Sequence, residues 1–379
     1  MHLQLGEAST VVVSSPEVAS REEEAAQAVA GLARAAAAAR SAPVNLSRLV
    51  YEWTSSVTAR AAFGGKTGED QAEFFTIADE ILREAAGFSL ADVFPSRRWL
   101  HRICGIEATL VDIRRRLDRV LDNIISDHRA KRTRGSDDDD GCSTGTAKDL
   151  IDVLLKLQED GQLDFPLVLQ DIFVGGTETS STTVEWAMSE LLRDEKTLKK
   201  AQSEVRRVFG STGIVEEARL GELKYLKLVL KEVLRLRPTA PLLLPRQNSE
   251  RCEIDGYDVP ANTRVLINVW AMGRDPKYWV QPDEFIPERF LDSSLDYKGT
   301  NYEFIPFGAG RRMCPGMAFG MANVELQLAN LLYHFDWELP ENEGSFEDLD
   351  MSETFGVTVK RKHDLCLIPV SYLPCLAPT

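Results

Sequence analysis

At 379 residues the chain is long enough to bury a large core, and its composition is that of an ordinary globular protein. With 44 Lys and Arg against 59 Asp and Glu the formal net charge is -15, which argues against sequence-independent binding to nucleic acid, because that needs a basic surface to displace counterions from phosphates. Cys104, Cys142, Cys252, Cys314, Cys366 and Cys375 are far apart and contain no CxxC pair, so neither a disulfide framework nor a structural zinc site is indicated. No stretch approaches the roughly 20 apolar residues needed to span a bilayer, and the N-terminus lacks the layout of a signal peptide. No membrane anchor is expected in the chain as written, which reads as soluble or peripheral.

In chain order, alternation through Leu3, Leu5 and Val11 to Val13 predicts a short β pair before Pro16. From Arg21 to Arg40 the sequence is Ala-rich, acidic at its start and basic at its end, the charge order that complements a helix dipole. Helical periodicity continues over Leu46–Phe63, Glu69–Ala86 and Gly105–Lys131. The polar run Gly135–Gly145, with Asp137 to Asp140, reads as a mobile surface loop. Helices are then expected over Pro166–Arg193, Asp194–Phe209 and Leu220–Leu236. Strands are expected over Cys252–Val259 and Thr263–Val269, a small antiparallel sheet. A Pro- and Gly-punctuated stretch, Gly273–Arg312, leads to a last helix over Pro315–Phe335 and a terminal hairpin near Phe355–Pro369. The fold class is mainly α with a minor β region.

Three constellations carry chemistry. The first is Phe307-Gly308-Ala309-Gly310-Arg311-Arg312-Met313-Cys314-Pro315-Gly316, immediately before the last helix. A thiolate there has unpaired helix N–H groups pointing at it, and Pro315 suits a first helical turn. Gly308, Gly310 and Gly316 permit a tight turn and close approach to a flat macrocycle, Arg312 can pair with a carboxylate, and Phe307 can pack beside the sulfur. A lone cysteine is more often a structural one, but the spacing FxxGxRxCxG reverses that balance. The second is Glu232-Val233-Leu234-Arg235, opposite charges on one helix face, with Pro287-Glu288-Arg289-Phe290 downstream; taken alone, the pair reads as a solvated surface contact. The third is Gly175-Gly176-Thr177-Glu178-Thr179-Ser180 in mid-helix, where each glycine costs about 1 kcal/mol relative to alanine. Small residues there admit a flat ligand, a local helix opening would free a carbonyl for water, and Glu178 and Thr179 supply groups for proton relay. A glycine-mediated helix crossing with a capping threonine explains the same residues equally well.

Together these motifs resemble the cytochrome P450 family, in its plant microsomal form, over nearly all residues from about Val44 to the C-terminus. The resemblance implies a single P450 domain over 1–379, with a residual β region at 1–20, a helical part at 21–250, and the small sheet, cysteine loop, last helix and hairpin at 251–379. It implies haem b (iron protoporphyrin IX) with Cys314 as axial iron ligand, and Phe307, Gly310, Arg312, Gly316, Arg246, Gly175 and Gly176 around the cofactor. Glu178 and Thr179 would be catalytic, and Glu232, Arg235 and Arg289 a buried structural triad. Phe173, Val174, Ala240, Leu242, Leu243 and Phe355 would line a substrate pocket, with Phe88 to Val93 in its roof. The activity implied is insertion of one oxygen atom from O2 into a small lipophilic plant metabolite, with electrons from NADPH through NADPH-cytochrome P450 reductase, at the cytosolic face of the endoplasmic reticulum. A haem-thiolate isomerase or dehydratase is disfavoured by the acid-threonine pair. Leu3–Ala19 resembles the family's early strand region while Arg21–Ala39 resembles a segment well downstream, so an internal shortening before Arg21 is expected, leaving the fold incomplete on its N-terminal side. A non-catalytic or poorly haem-loaded product is the alternative it raises.

Overall fold

In a computed structural model of the chain, the described residues are 2–5, 8–11, 16–38, 43–63, 105–135, 151, 154–155, 165–210, 213–340, 344–354 and 356–372, with 73, 76, 77, 80 and 81. The first of these form an antiparallel pair, β1 (His2–Leu5) and β2 (Ala8–Val11), as the alternation predicts. Helix α1 (Pro16–Ala38) starts five residues earlier than the Ala-rich run, because Pro16 can occupy a first turn. β3 (Val44–Asn45) leads directly into α2 (Leu46–Phe63), whose entry is capped where Asn45 Oδ1 accepts the Arg48 N–H at 2.8 Å. Of the helix expected over Glu69–Ala86 only the five positions named above are described, all helical, and the expected loop at 136–145 lies outside the described residues. α3 (Ile106–Gly135) and α4 (Phe165–Arg193) follow the periodicity closely.

The chain's contacts fall into two compact units, residues 1–31 with 51–178, and residues 32–50 with 179–379. The first has a core in which Ala59 and Ala62 of α2 meet the Ile113, Leu117, Val120, Leu121 and Ile124 stripe of α3. That stripe repeats every three to four residues, the spacing that places side chains on one helix face. Arg60 joins α2 to Glu23 and Glu24 of α1 at 2.6 and 2.8 Å.

The second unit carries the cysteine loop. Asp194 caps α5 (Glu195–Phe209) by accepting the Lys196 and Thr197 N–H groups at 3.1 and 3.2 Å. The helix expected over Leu220–Leu236 divides into a 3-10 turn at Glu217–Glu222 and α6 (Lys224–Leu236), with Glu204 of α5 accepting the first N–H groups of α6. The sheet region corrects the sequence reading. β4 (Arg246–Gln247) pairs with β7 (Arg264–Val265), and β5 (Cys252–Ile254) pairs with β6 (Tyr257–Val259), two separate ribbons where one sheet was expected. The strand expected to run to Val269 stops at Val265, because Asn268 caps a short helix, α7 (Val269–Met272), through the Ala271 N–H. Helix α8 (Met317–His334) packs against α5 and α6. The terminal hairpin is also corrected. β9 (Glu353–Thr354) pairs with β10 (Lys360–Arg361), whereas β11 (Cys366–Ser371) leaves it to stand between β3 and β8 (Phe335–Glu338).

Candidate functional site

The cysteine loop is built by short-range backbone bonds. Gly308 N–H reaches Ile305 O at 2.9 Å, Met313 N–H reaches Gly310 O at 3.1 Å, and Cys314 N–H closes the loop on Phe307 O at 2.9 Å. Two of its glycines need their freedom: Gly308 and Gly310 have φ of 73 and 71°, left-handed values that a side chain resists. A Cβ at Gly310 would meet nothing within 4 Å, so the backbone faces open space there. The sulfur of Cys314 is half-buried and in no disulfide. Burial pushes its thiol up, and the Gly316 N–H at the head of α8 opposes this by donating to the sulfur. Arg246 of β4 is brought to the loop, donating through Nη2 to Arg312 O at 2.9 Å, while the Arg312 side chain is exposed. Phe307 meets the edge of Tyr297, with ring centroids 5.5 Å apart.

Glu232, Arg235 and Arg289 come together in the second unit. Arg235 donates to Glu232 through Nε at 2.8 Å and Nη2 at 2.7 Å, and Arg289 Nε reaches Glu232 Oε1 at 2.9 Å. The Ile286 N–H also donates to that oxygen, at 2.8 Å. The remaining Arg235 donors are used on carbonyls: Nη1 on Gly273 and Pro282, both at 2.6 Å, and Nη2 on Glu284 at 2.9 Å. Both side chains of the Glu232–Arg235 pair are 0% exposed. A buried charge is tolerated only when its partners are complete, and here all five guanidinium N–H directions are occupied. Gly273 is part of this geometry, since a Cβ there would stand 2.6 Å from Arg235 O.

On α4, Thr177 and Glu178 are buried and Thr179 is half-buried. The helix runs without interruption from Phe165 to Arg193, so the expected opening is absent; the Thr179 carbonyl instead accepts the Thr183 hydroxyl at 2.8 Å. Gly175 faces open space, and a Cβ at Gly176 would stand 3.3 Å from Thr58 Cγ2, a close approach to α2. Further along, Gly320 of α8 lies against Ser180, whose Oγ would be 3.3 Å from a Cβ there.

The pocket residues separate. Phe355, Phe88 to Val93 and the side chains of Phe173 and Val174 lie outside the described residues. Leu242 lines a cavity of about 260 Å³ shared with Trp186, Arg237, Trp270, Glu353 and Val359. Leu243 turns the other way, its Cδ1 lying 3.7 Å from where a Gly308 Cβ would stand. Its N–H closes a turn on Ala240 O at 3.0 Å. Sequence reasoning missed the positive φ of 50° at Leu243, which no residue type signals, and missed Gly273 and Gly299, whose signal was only their place in the Gly-punctuated stretch.

These residues fit haem. The loop offers a single sulfur donor, which suits an iron that brings its other ligands with it, as haem iron does. A free sulfur receiving a helix N–H, beside an open glycine backbone and two arginines, is a donor set of that kind.

The mainly helical fold and the glycine-rich cysteine loop together point to a haem protein. The sequence profile of the cytochrome P450 family matches residues 7–367, and the chain belongs to that family. It is 51% identical over 356 residues to desmethyl-deoxy-podophyllotoxin synthase of Sinopodophyllum hexandrum, covering 92% of this chain and 68% of that protein. It is 48% identical to cytochrome P450 71D10 of Glycine max, over 93% and 69% of the two chains. It is 46% identical to tabersonine 16-hydroxylase 2 of Catharanthus roseus, over 87% and 65%. Among solved structures, a zebra fish cytochrome P450 with progesterone aligns at a TM-score of 0.73 and 26% identity, covering 94% of this chain and 78% of that one. The chain is therefore a cytochrome P450 monooxygenase of the kind found in plant secondary metabolism, binding haem iron. No helix among the described residues is long and apolar enough to cross a membrane.

Proposed function

We propose that this chain inserts one oxygen atom from O2 into a small lipophilic plant metabolite, with Cys314 as iron ligand and electrons delivered from NADPH by NADPH-cytochrome P450 reductase. The observation that carries the reading is the free Cys314 sulfur at the head of α8, accepting the Gly316 N–H in a loop whose backbone is open at the left-handed Gly310. Bound through a thiolate, haem supplies activation of dioxygen for monooxygenation. The chain's residues do the rest. Arg312 of the loop and Arg246, which reaches the loop from β4, receive acidic groups on the macrocycle's edge, a role supported by the bond between Arg246 and Arg312 O. Glu178 and Thr179 hold protons on α4, the carboxyl of one and the hydroxyl of the other, and pass them toward the oxygen site. Ala240 and Leu243 shape the apolar side of the substrate space, and the Glu232–Arg235–Arg289 network holds the framework on which the loop rests.

The localisation proposed is the cytosolic face of the endoplasmic reticulum, where such a reductase resides. The deciding experiment is NADPH-driven oxidation by the purified chain with reductase, tested on terpenoid, alkaloid and phenolic panels. Oxygenated product that requires both NADPH and reductase supports the reading; redox-neutral rearrangement or dehydration of an organic peroxide substrate without either would replace it with an isomerase or dehydratase.

A second reading is favoured by one observation. Helix α1 runs unbroken from Pro16 to Ala38, across the point before Arg21 at which the sequence passes from resembling an early part of the family to resembling a later one, and this continuity supports an internal shortening. Haem is a large apolar plate with two carboxylates, and loss of a covering helix leaves an edge open to water. On this reading haem is held weakly, and haem titration against a form carrying the intervening helices would show lower occupancy in this chain; equal occupancy would dismiss it.

A further inference from the structure

The cysteine loop is gripped from outside by a segment that no motif singles out. Residues 295–301 run alongside it. Gly299 has a φ of 80°, and a Cβ there would stand 3.0 Å from Met313 Sδ, 3.2 Å from Gly308 O and 3.3 Å from Ala309 Cα. Two of those three atoms are loop backbone, which cannot swing aside as a side-chain tip can. Two residues earlier, Tyr297 sets its ring edge-on to Phe307, with centroids 5.5 Å apart. The segment is itself anchored. Lys231, adjacent to Glu232 in α6, donates to Leu295 O at 2.7 Å, and the Asp296 N–H bonds Asn301 Oδ1 at 3.2 Å. Gly308 also meets Leu243, itself left-handed, whose Cδ1 lies 3.7 Å from where a Cβ on that glycine would stand.

We infer that Gly299 and Tyr297 are positioning residues for Cys314: they form a buttress that carries the geometry of α6 to the thiolate loop and fixes where the sulfur stands. The inference rests on the ligand reading of Cys314 for its consequence, but the geometry has its own test. Any side chain at Gly299 must displace Gly308 and Ala309, and the loop is short enough that Cys314, bonded through its N–H to Phe307 O, moves with them. The substitution also forces a left-handed conformation on a side-chain-bearing residue. Gly256 provides the matched control. Its φ is 79°, and a Cβ there meets nothing within 4 Å, so Gly256→Ala carries the same backbone strain without crowding anything.

The test is the alkylation rate of Cys314 by iodoacetamide in the full chain as purified, resolved by peptide mass spectrometry and expressed as its ratio to the Cys314 rate in the parent chain. Gly299→Ala is expected to raise that ratio to about tenfold, corresponding to about 1.4 kcal/mol of loop opening. Gly256→Ala is expected to leave that ratio unchanged. A ratio in Gly299→Ala no higher than in Gly256→Ala would overturn the inference while leaving the identity of the iron ligand untouched. If Gly299→Ala does not accumulate as folded protein, Tyr297→Leu reads the same coupling by removing the ring contact to Phe307. It should speed Cys314 severalfold, and an unchanged rate there would equally overturn the proposal.

Discussion

Replacing Arg235 by lysine keeps the charge and removes the geometry. The guanidinium makes five N–H···O bonds, two to Glu232 and one each to the carbonyls of Gly273, Pro282 and Glu284, at 2.6 to 2.9 Å. An ammonium has three donors on one atom and cannot span acceptors spread around a planar fork. With three donors, at least two of the five bonds are lost at a site that is 0% exposed, each costing about 1–3 kcal/mol. The expected loss is about 4 kcal/mol, within the range for breaking a buried ion pair. Arg289→Lys should cost less, about 1–2 kcal/mol, because that side chain is 10% exposed and water can reach the groups it abandons. The assay is equilibrium urea unfolding followed by tryptophan fluorescence, with Trp279 close to the Arg235 guanidinium, 5.3 Å from its ring centroid, as a local reporter. A loss below about 1 kcal/mol for Arg235→Lys, or a larger loss for Arg289→Lys, would refute the argument that complete pairing is what makes this burial tolerable.

Other substitutions probe separate parts of the chain. Gly320→Val is expected to cost about 1–3 kcal/mol by crowding Ser180 Oγ at the crossing of α8 with α4, whereas Ser180→Ala combined with it should recover part of the loss in the same unfolding assay. Burial holds the His334 imidazole down at about 4, so the unfolded chain takes up that proton first as pH falls. Its contribution is complete above about pH 6.5 and lost progressively toward pH 4, on the order of 3 kcal/mol, and His334→Leu should flatten the stability profile across that window. Thr179→Ala should leave haem binding intact and lower the product formed per NADPH consumed, measured as a coupling ratio with reductase present.

The helices were legible because their burial follows spacing alone. In α5 the buried residues Thr197, Ala201, Val205 and Phe209 stand four apart, and Asp194, the first residue of the expected helix, is its cap in the structure. The cysteine loop was legible because thiolate chemistry needs glycine, arginine and a helix start in a fixed order. Strand pairing was less so. Nothing local tells Arg264–Val265 to pair with Arg246–Gln247 and not with the ribbon between them, since partners in a sheet are chosen by tertiary packing. The same holds for β11, which reads as the return strand of a hairpin but finds β8 and β3. Gly299 and Leu243 were hidden for a different reason: their importance lies in what stands opposite them, at Gly308, and that is a fact of three dimensions.

The central claim is that Cys314 is the haem ligand of a monooxygenase. Its most direct test is the reduced carbon-monoxide difference spectrum of the haem-reconstituted chain beside Cys314→Ala. The thiolate-type band is expected in the parent chain and absent in the variant, with Cys252→Ala unchanged. A thiolate-type band that survives Cys314→Ala would contradict the assignment and move the ligand elsewhere.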